Sequence, residues 1–188
     1  MKSNFAAVER AYAAIDKLIE QGKRPVIVGI DGRCGAGKTT LALEISQKYQ
    51  ATTVHCDDFF LPDSLKTPSR LEAVGGNIHF ERLLQVLENI CGCQPFFYEK
   101  YNCHTKQFVS EKYTPSNVVV VEGSYALSNG MERFYDVKIF VTTDKNTQQS
   151  RLKEREGSNF SAYKTKWIPL EERYIANLPL QNCIIAET

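Results

Sequence analysis

The fourteen residues GIDGRCGAGKTTLA, 29 to 42, hold four glycines, one lysine and two threonines directly after the apolar run VIVGI. Glycine loses more backbone freedom on ordering than any other residue. Its concentration between a strand-like run and a helix-like one implies that the bare backbone has a task there. Gly32-x-x-x-x-Gly37-Lys38-Thr39 satisfies the phosphate-binding loop pattern in full, with the correct flanks on both sides. Such a turn directs its N–H groups at phosphate oxygens, and a helix starting near Lys38 adds positive potential at the same point. The pattern assigns nucleotide contacts to Gly32, Arg33, Cys34, Gly35, Ala36, Gly37, Lys38, Thr39 and Thr40. Lys38 is expected on the outer phosphates and the Thr39 hydroxyl on Mg²⁺. Cys34 lies where the helix terminus and Lys38 favour a thiolate, so either a redox role or a tolerated small residue fits. Asp31 is read as fixing the loop from outside.

The rest of the chain alternates between the two periods. Residues 5 to 20 have helical spacing, Lys38 to Tyr49 follow the loop as a helix, and ATTVHC is a second β-branched run. Residues 61 to 77, with two prolines and a Gly-Gly pair, read as loop. HFERLLQVLENI is helical, and PFFYEKYNCHTKQFV suits an irregular hairpin. NVVVVEG and DVKIFVTT are strands; a helix runs from an Asp144 N-cap to about Glu156, PLEERYIANL is a short helix, and NCIIAE a last strand. Strands alternating with helices imply an α/β fold, a parallel sheet covered on both faces with ligands at the carboxyl ends of its strands.

The totals exclude other classes. Lys plus Arg (23) nearly balances Asp plus Glu (22), so no global field holds nucleic acid or an anionic membrane. No window reaches the roughly 18 apolar residues of a membrane span, and Glu9, Arg10 and Asp16 interrupt what a signal peptide needs to be apolar. A cytoplasmic protein is expected. The six cysteines are scattered without a CxxC pair, which suits reduced thiols better than a zinc site.

Three further clusters follow strand ends. In HCDDFFLP, Asp57 suits a base that engages an acceptor hydroxyl, and Asp58 a turn cap or a support of the magnesium shell; a plain Asp-Asp turn is the alternative. Phe59 and Phe60 could wall an acceptor pocket, with core packing accounting for at least one of them. Glu122 ends a buried run, where an acid needs a partner: a magnesium-bound water beside Thr39, or a lysine salt bridge. Arg151 and Arg155 share a helical face at a repulsive cost of about a few tenths of a kcal/mol, which an anion between them would reverse. Glu154 and Glu156 offer instead a self-neutralised, solvated face.

The stretches GIDGRCGAGKTTLA, HCDDFFLP, VVVVEGSYAL and RLKEREG, in this order, resemble the uridine kinase and phosphoribulokinase group of P-loop kinases, which includes nicotinamide riboside kinases. The resemblance implies a three-layer α/β/α fold with a five-stranded parallel sheet and ATP–Mg²⁺ as donor. It also implies Asp57 as acceptor base, Glu122 near the metal, and a lid bearing Arg151 and Arg155. One domain, 1–188, would carry an acceptor-binding insertion at about 61–112 and a lid at about 150–168. His79 stands near where nucleoside members place a ribose-binding Asp, and Tyr98, Tyr101 and His104 where their hairpin meets the base; packing is the alternative for each. Phe60 joins this acceptor set, and Trp167 is read as core. The implied activity is γ-phosphoryl transfer to a small-molecule hydroxyl, a nucleoside of the uridine or cytidine kind. Nicotinamide riboside, pantothenate or a sugar phosphate are alternative acceptors, a non-catalytic nucleotide-binding regulator is the rival class, and a homo-oligomer is left open.

Overall fold

The computed structural model describes residues 2–128 and 130–188. Helix α1 (Lys2–Glu20) leads to β1 (Val26–Gly32), the glycine-rich loop, α2 (Lys38–Tyr49) and β2 (Thr52–His55). A 3₁₀ turn at Cys56–Phe59 precedes α3 (Pro68–Glu72), α4 (Phe80–Cys91) and the strands β3 (Phe96–Asn102) and β4 (Gln107–Tyr113). The chain then forms β5 (Val118–Glu122), β6 (Val137–Thr142), α5 (Lys145–Glu156) and a helical turn α6 (Phe160–Ala162). A π-helical turn at Tyr163–Trp167 runs directly into α7 (Ile168–Ile175), and β7 (Ile184–Glu187) closes the sheet.

Five strands pair in the order β2-β5-β1-β6-β7, every neighbour parallel. β1 and β5 are buried at every residue, which is why their sequences are continuous apolar runs rather than alternations. Alternate residues still face opposite layers. Val26, Val28 and Ile30 meet Ala7, Ala11 and Ile15 of α1 and Leu41, Ala42 and Ile45 of α2. Ile27, Val119 and Val121 meet Leu83, Leu87 and Ile90 of α4, with Tyr98 and Tyr113 of the β3–β4 ribbon. The result is the expected three-layer α/β/α sandwich. Strand order reverses beside β1, so its carboxyl end opens onto a crevice.

Two local expectations change. Residues 61 to 77 are not all loop: the Thr67 hydroxyl accepts the Arg70 N–H (3.3 Å) and Pro68 opens α3, a cap-and-proline start. The hairpin is regular, pairing Phe96↔Tyr113 through Asn102↔Gln107, and the Asn102 side chain closes its turn by accepting the His104 and Thr105 amides. Asp144 caps α5 as expected, accepting the Asn146 and Thr147 amides. Among the described residues no helix is long and apolar enough to cross a membrane.

β1 extends to Gly32, whose φ of +141° and neighbour Val141 both demand glycine: a Cβ there would stand 1.9 Å from the Val141 carbonyl oxygen. Asp31, just before it, corrects the sequence reading. It is 1% exposed and holds the loop from inside. Its carboxylate accepts the amides of Gly32 (2.6 Å), Tyr125 (3.1 Å) and Leu127 (2.9 Å) and the Tyr174 hydroxyl (2.5 Å). Burial pushes its pKa up and these donors pull it back. Asp31→Ala strands several buried donors at about 1–3 kcal/mol each, so urea unfolding is expected to show a loss of at least about 3 kcal/mol. A loss below about 1 kcal/mol would contradict this account.

Candidate active site

No side chain caps the start of α2, whose N-cap is Gly37 in the left-handed conformation, so its first-turn amides are available to an anion. Lys38 is buried and curls back, its Nζ donating to the carbonyls of Gly32 (2.7 Å) and Arg33 (3.1 Å). Beside it lies a cleft of about 640 Å³. Gly35, Gly37, Lys38, Thr39, Thr40, Asp57 and Glu122 line it, with Arg151 and Arg155 from α5. The 60–103 segment adds Phe60, Lys66, Leu71, Asn77, Ile78 and Cys103, and Tyr163, Lys166, Trp167 and Glu171 line the cleft as well.

Parallel register sets the acids. Glu122, at the end of β5, pairs with His55 of β2 and Ile30 of β1. Both carboxylate oxygens of Glu122 lie 3.4 Å from the Thr39 hydroxyl, and one lies 2.7 Å from His55 Nδ1. The hydrogen bond to Glu122 raises the His55 pKa. The partner of Glu122 within the protein is thus a histidine that the sequence reading did not select, rather than a lysine. Asp57 faces the cleft; burial, then the charge of Glu122, push its pKa up. Asp58 turns the other way, to Lys100 Nζ of β3 (3.4 Å), and therefore serves the hairpin rather than the metal side. Phe59 is core, stacked on Tyr98 at 5.8 Å, while Phe60 lines the cleft. The Thr39 hydroxyl and Glu122 carboxylate are hard oxygen donors that fit Mg²⁺. Among the described residues no group of three or more His, Cys, Asp or Glu side chains is placed to hold a metal ion.

Several assigned side chains are engaged within the protein. The Arg33 guanidinium leaves the loop, donating to Thr142 Oγ1 (3.1 Å) and pairing with Glu172. Ala36 is fully buried and borders a second pocket of about 340 Å³ with Thr40, Arg151 and Thr188. Arg151 donates to the Gly35 carbonyl (3.2 Å) and Thr188 Oγ1 (2.9 Å), so it lies against the loop. Arg155 reaches the cleft while paired with Glu156 (2.7 Å), a partial version of the self-neutralised face.

His79 does not line the cleft; its Nδ1 lies 3.0 Å from Glu81 at the start of α4. Tyr98 and Tyr101 are buried in packing against Phe59 and Phe108, and His104 stands on the exposed hairpin turn. Neighbouring positions take their place: Asn77 and Ile78 before His79, and Cys103 between Tyr101 and His104. Trp167 is half-buried and lines the cleft instead of the core, with Lys166 Nζ 4.9 Å above its ring. Cys34 is also corrected: burial and then Glu171 push its thiol to about 12, the reverse of a thiolate. Glu171 itself, 4% exposed on α7, carries no motif that could have announced it.

Comparison with known proteins adds three relations. The NB-ARC domain family model matches residues 8–61, from α1 through the glycine-rich loop to Leu61, under a third of the chain. The uridine kinase of Staphylococcus aureus strain JH9 is 33% identical over 134 residues, 65% of this chain and 64% of that protein. The chain thus spans a little under two thirds of the length of the curated relatives it matches. Among solved structures, a possible uridine kinase from Bacillus stearothermophilus superposes with a TM-score of 0.70 at 18% identity, over 95% of this chain and 100% of that one. A Silicibacter protein provisionally named a fructose transport system kinase gives 0.74 at 17%, over 97% and 98%. At these identities the likeness is one of fold, the three-layer α/β/α arrangement.

A thiol held near 12 is protonated throughout the neutral range, so Cys34 in the folded protein should resist iodoacetamide at pH 8 while the exposed Cys91, Cys93 and Cys103 react. Peptide mass spectrometry of the time course reads this directly, and Cys34 labelling as fast as Cys103 would refute it.

Proposed function

We propose that this chain, similar in sequence to uridine kinases and in fold to solved kinase structures, is an ATP-dependent phosphotransferase that moves the γ-phosphoryl group to a small-molecule hydroxyl. A nucleoside of the uridine kind is the acceptor that the curated relative suggests. One observation carries the reading: Asp57 and the anion-binding loop open onto the same cleft. A regulator that only bound nucleotide would need no carboxylate there.

In the proposed reaction the loop amides and Lys38 hold the outer phosphates, Lys38 exchanging its two carbonyl partners for phosphate oxygens. Arg155, and Arg151 on exchanging its Gly35 and Thr188 partners, meet the charge that builds on the transferring group. Thr39 and Glu122 are the residues that would hold Mg²⁺, with His55 orienting the carboxylate. When bound, the ion supplies charge neutralisation across the outer phosphates. The transition state is loose, so Asp57 contributes chiefly by orienting the acceptor hydroxyl. As the new O–P bond forms and the bond to ADP breaks, the hydroxyl proton passes to Asp57, whose raised pKa favours receiving it. Phe60 offers a face to a planar base, and Asn77 and Lys66 offer donors to hydroxyls. We assign the acceptor segment to about 61–112, the lid to about 150–168, and the place of action to the cytoplasm.

ADP release measured against a panel of nucleosides, vitamins and sugar phosphates tests the assignment; no acceptor-dependent release from any of them would favour a regulator. Asp57→Asn is expected to lower kcat by about a hundredfold or more while ATP affinity stays within about threefold. Lys38→Ala should weaken both binding and turnover, and unchanged kinetics would remove the loop from the mechanism.

A further inference from the structure

Helix α7 grips the start of the glycine-rich loop at three residues. The Tyr174 hydroxyl donates to Asp31, Glu172 pairs with Arg33, and the Cys34 amide donates to Glu171 Oε1 at 2.7 Å. The other Glu171 oxygen accepts from the Gln148 amide (3.2 Å) and the Cys34 thiol (3.4 Å). Gln148, on α5, also donates to the Cys34 carbonyl (3.1 Å). Cys34 is therefore held at its N–H by α7 and at its C=O by α5.

Glu171 is an unfavourable residue to bury here on packing grounds alone. A carboxylate loses hydration on burial, and burial pushes its pKa up. It also stands beside a loop built for anions, where its charge opposes that of an incoming phosphate. An apolar side chain would fill the volume without either penalty, but could not accept the Cys34 amide. The helix that carries it continues directly from the π-turn whose Tyr163, Lys166 and Trp167 line the cleft. The cleft-lining Tyr163, Lys166 and Trp167 and the contacts to the start of the loop thus sit on one continuous helical run.

Resting on the kinase reading above, we infer that Glu171 is a positioning residue for phosphoryl transfer. It sets the Cys34 segment of the loop from the lid side, so the loop holds its working shape only while α7 is docked.

Glu171→Gln keeps an oxygen for the Cys34 amide, whereas Glu171→Ala does not. In the Ala variant, kcat per ATP-binding site is expected to fall about tenfold or more with acceptor KM within about twofold, since small misplacements at a transfer site are felt in the chemical step. The Gln variant should recover most of that loss. A second readout needs no turnover: iodoacetamide labelling of Cys34 in the folded protein should speed up about tenfold or more in the Ala variant, and less in the Gln variant. Gln148→Leu releases the Cys34 carbonyl from the other side; it should move both readouts the same way and serves if the Ala variant does not fold. Wild-type kcat and wild-type Cys34 labelling in a folded Ala or Leu variant would overturn the inference. If the wild-type protein turns over no acceptor, the kinase reading fails, and Cys34 labelling alone then decides whether the clamp exists.

Discussion

The carboxylate of Asp31 is the point at which the walls of the cleft are joined. β1 lies at the centre of the sheet, with β5 on one side and β6 on the other, so an acid near its carboxyl end can reach the segment beyond β5 and the helix α7 that borders the loop. Asp31 takes two amides from the segment beyond β5 and the Tyr174 hydroxyl from α7, while the next residue begins the glycine-rich loop. A lone buried carboxylate would be costly; four convergent donors make it tolerable and fix its geometry. Gly32 completes the constraint, since no side chain fits between it and Val141. Loop, post-β5 segment and α7 are therefore built as one body, and the positions of Lys38, Glu122 and Glu171 follow from it.

How much of this was legible depends on the range over which each signal acts. The strands β1 and β5 and the loop between β1 and α2 are written locally, as apolar runs and a fixed glycine–lysine spacing, and the structure carries them where the sequence put them. The proximity of Glu122 to Thr39 was legible because a strand end and a motif position sufficed. Its histidine partner was not, because His55 meets Glu122 only through the β2–β5 register. Asp31 shows the same boundary. Its sequence position was noted, but three of its four donors lie 94 to 143 residues away, and a carboxylate outside a loop reads the same as one inside it.

The acceptor residues were the least legible for a related reason. A polar aromatic residue on a hairpin meets the cleft or the core according to which face packs on the sheet, and that choice is tertiary. Tyr98 and Tyr101 went to packing, and His79 turned to its helical neighbour Glu81, leaving Asn77, Ile78 and Cys103 to border the space. Trp167 erred in the opposite direction. A single tryptophan between lysine and an apolar run looks like core, yet the π-turn that precedes α7 sets it against the cleft.

The same geometry separates two acids that the sequence presents as equals. Glu122 is pinned at the end of a central strand by the Thr39 hydroxyl and His55, with no freedom to follow a substrate. Asp57 follows β2 on a 3₁₀ turn and, among the described residues, its carboxylate has no hydrogen bond or ion pair; burial and the charges of Glu122 and Asp58 push its pKa up against the pull of Lys38 and His55. A carboxylate that is held suits a fixed cation; one that is free and made more basic by a neighbouring charge suits a proton in transit. Exchanging the two residue types would not exchange the roles, because the difference resides in the register of β2 with β5 and in the turn that follows β2, not in the side chains.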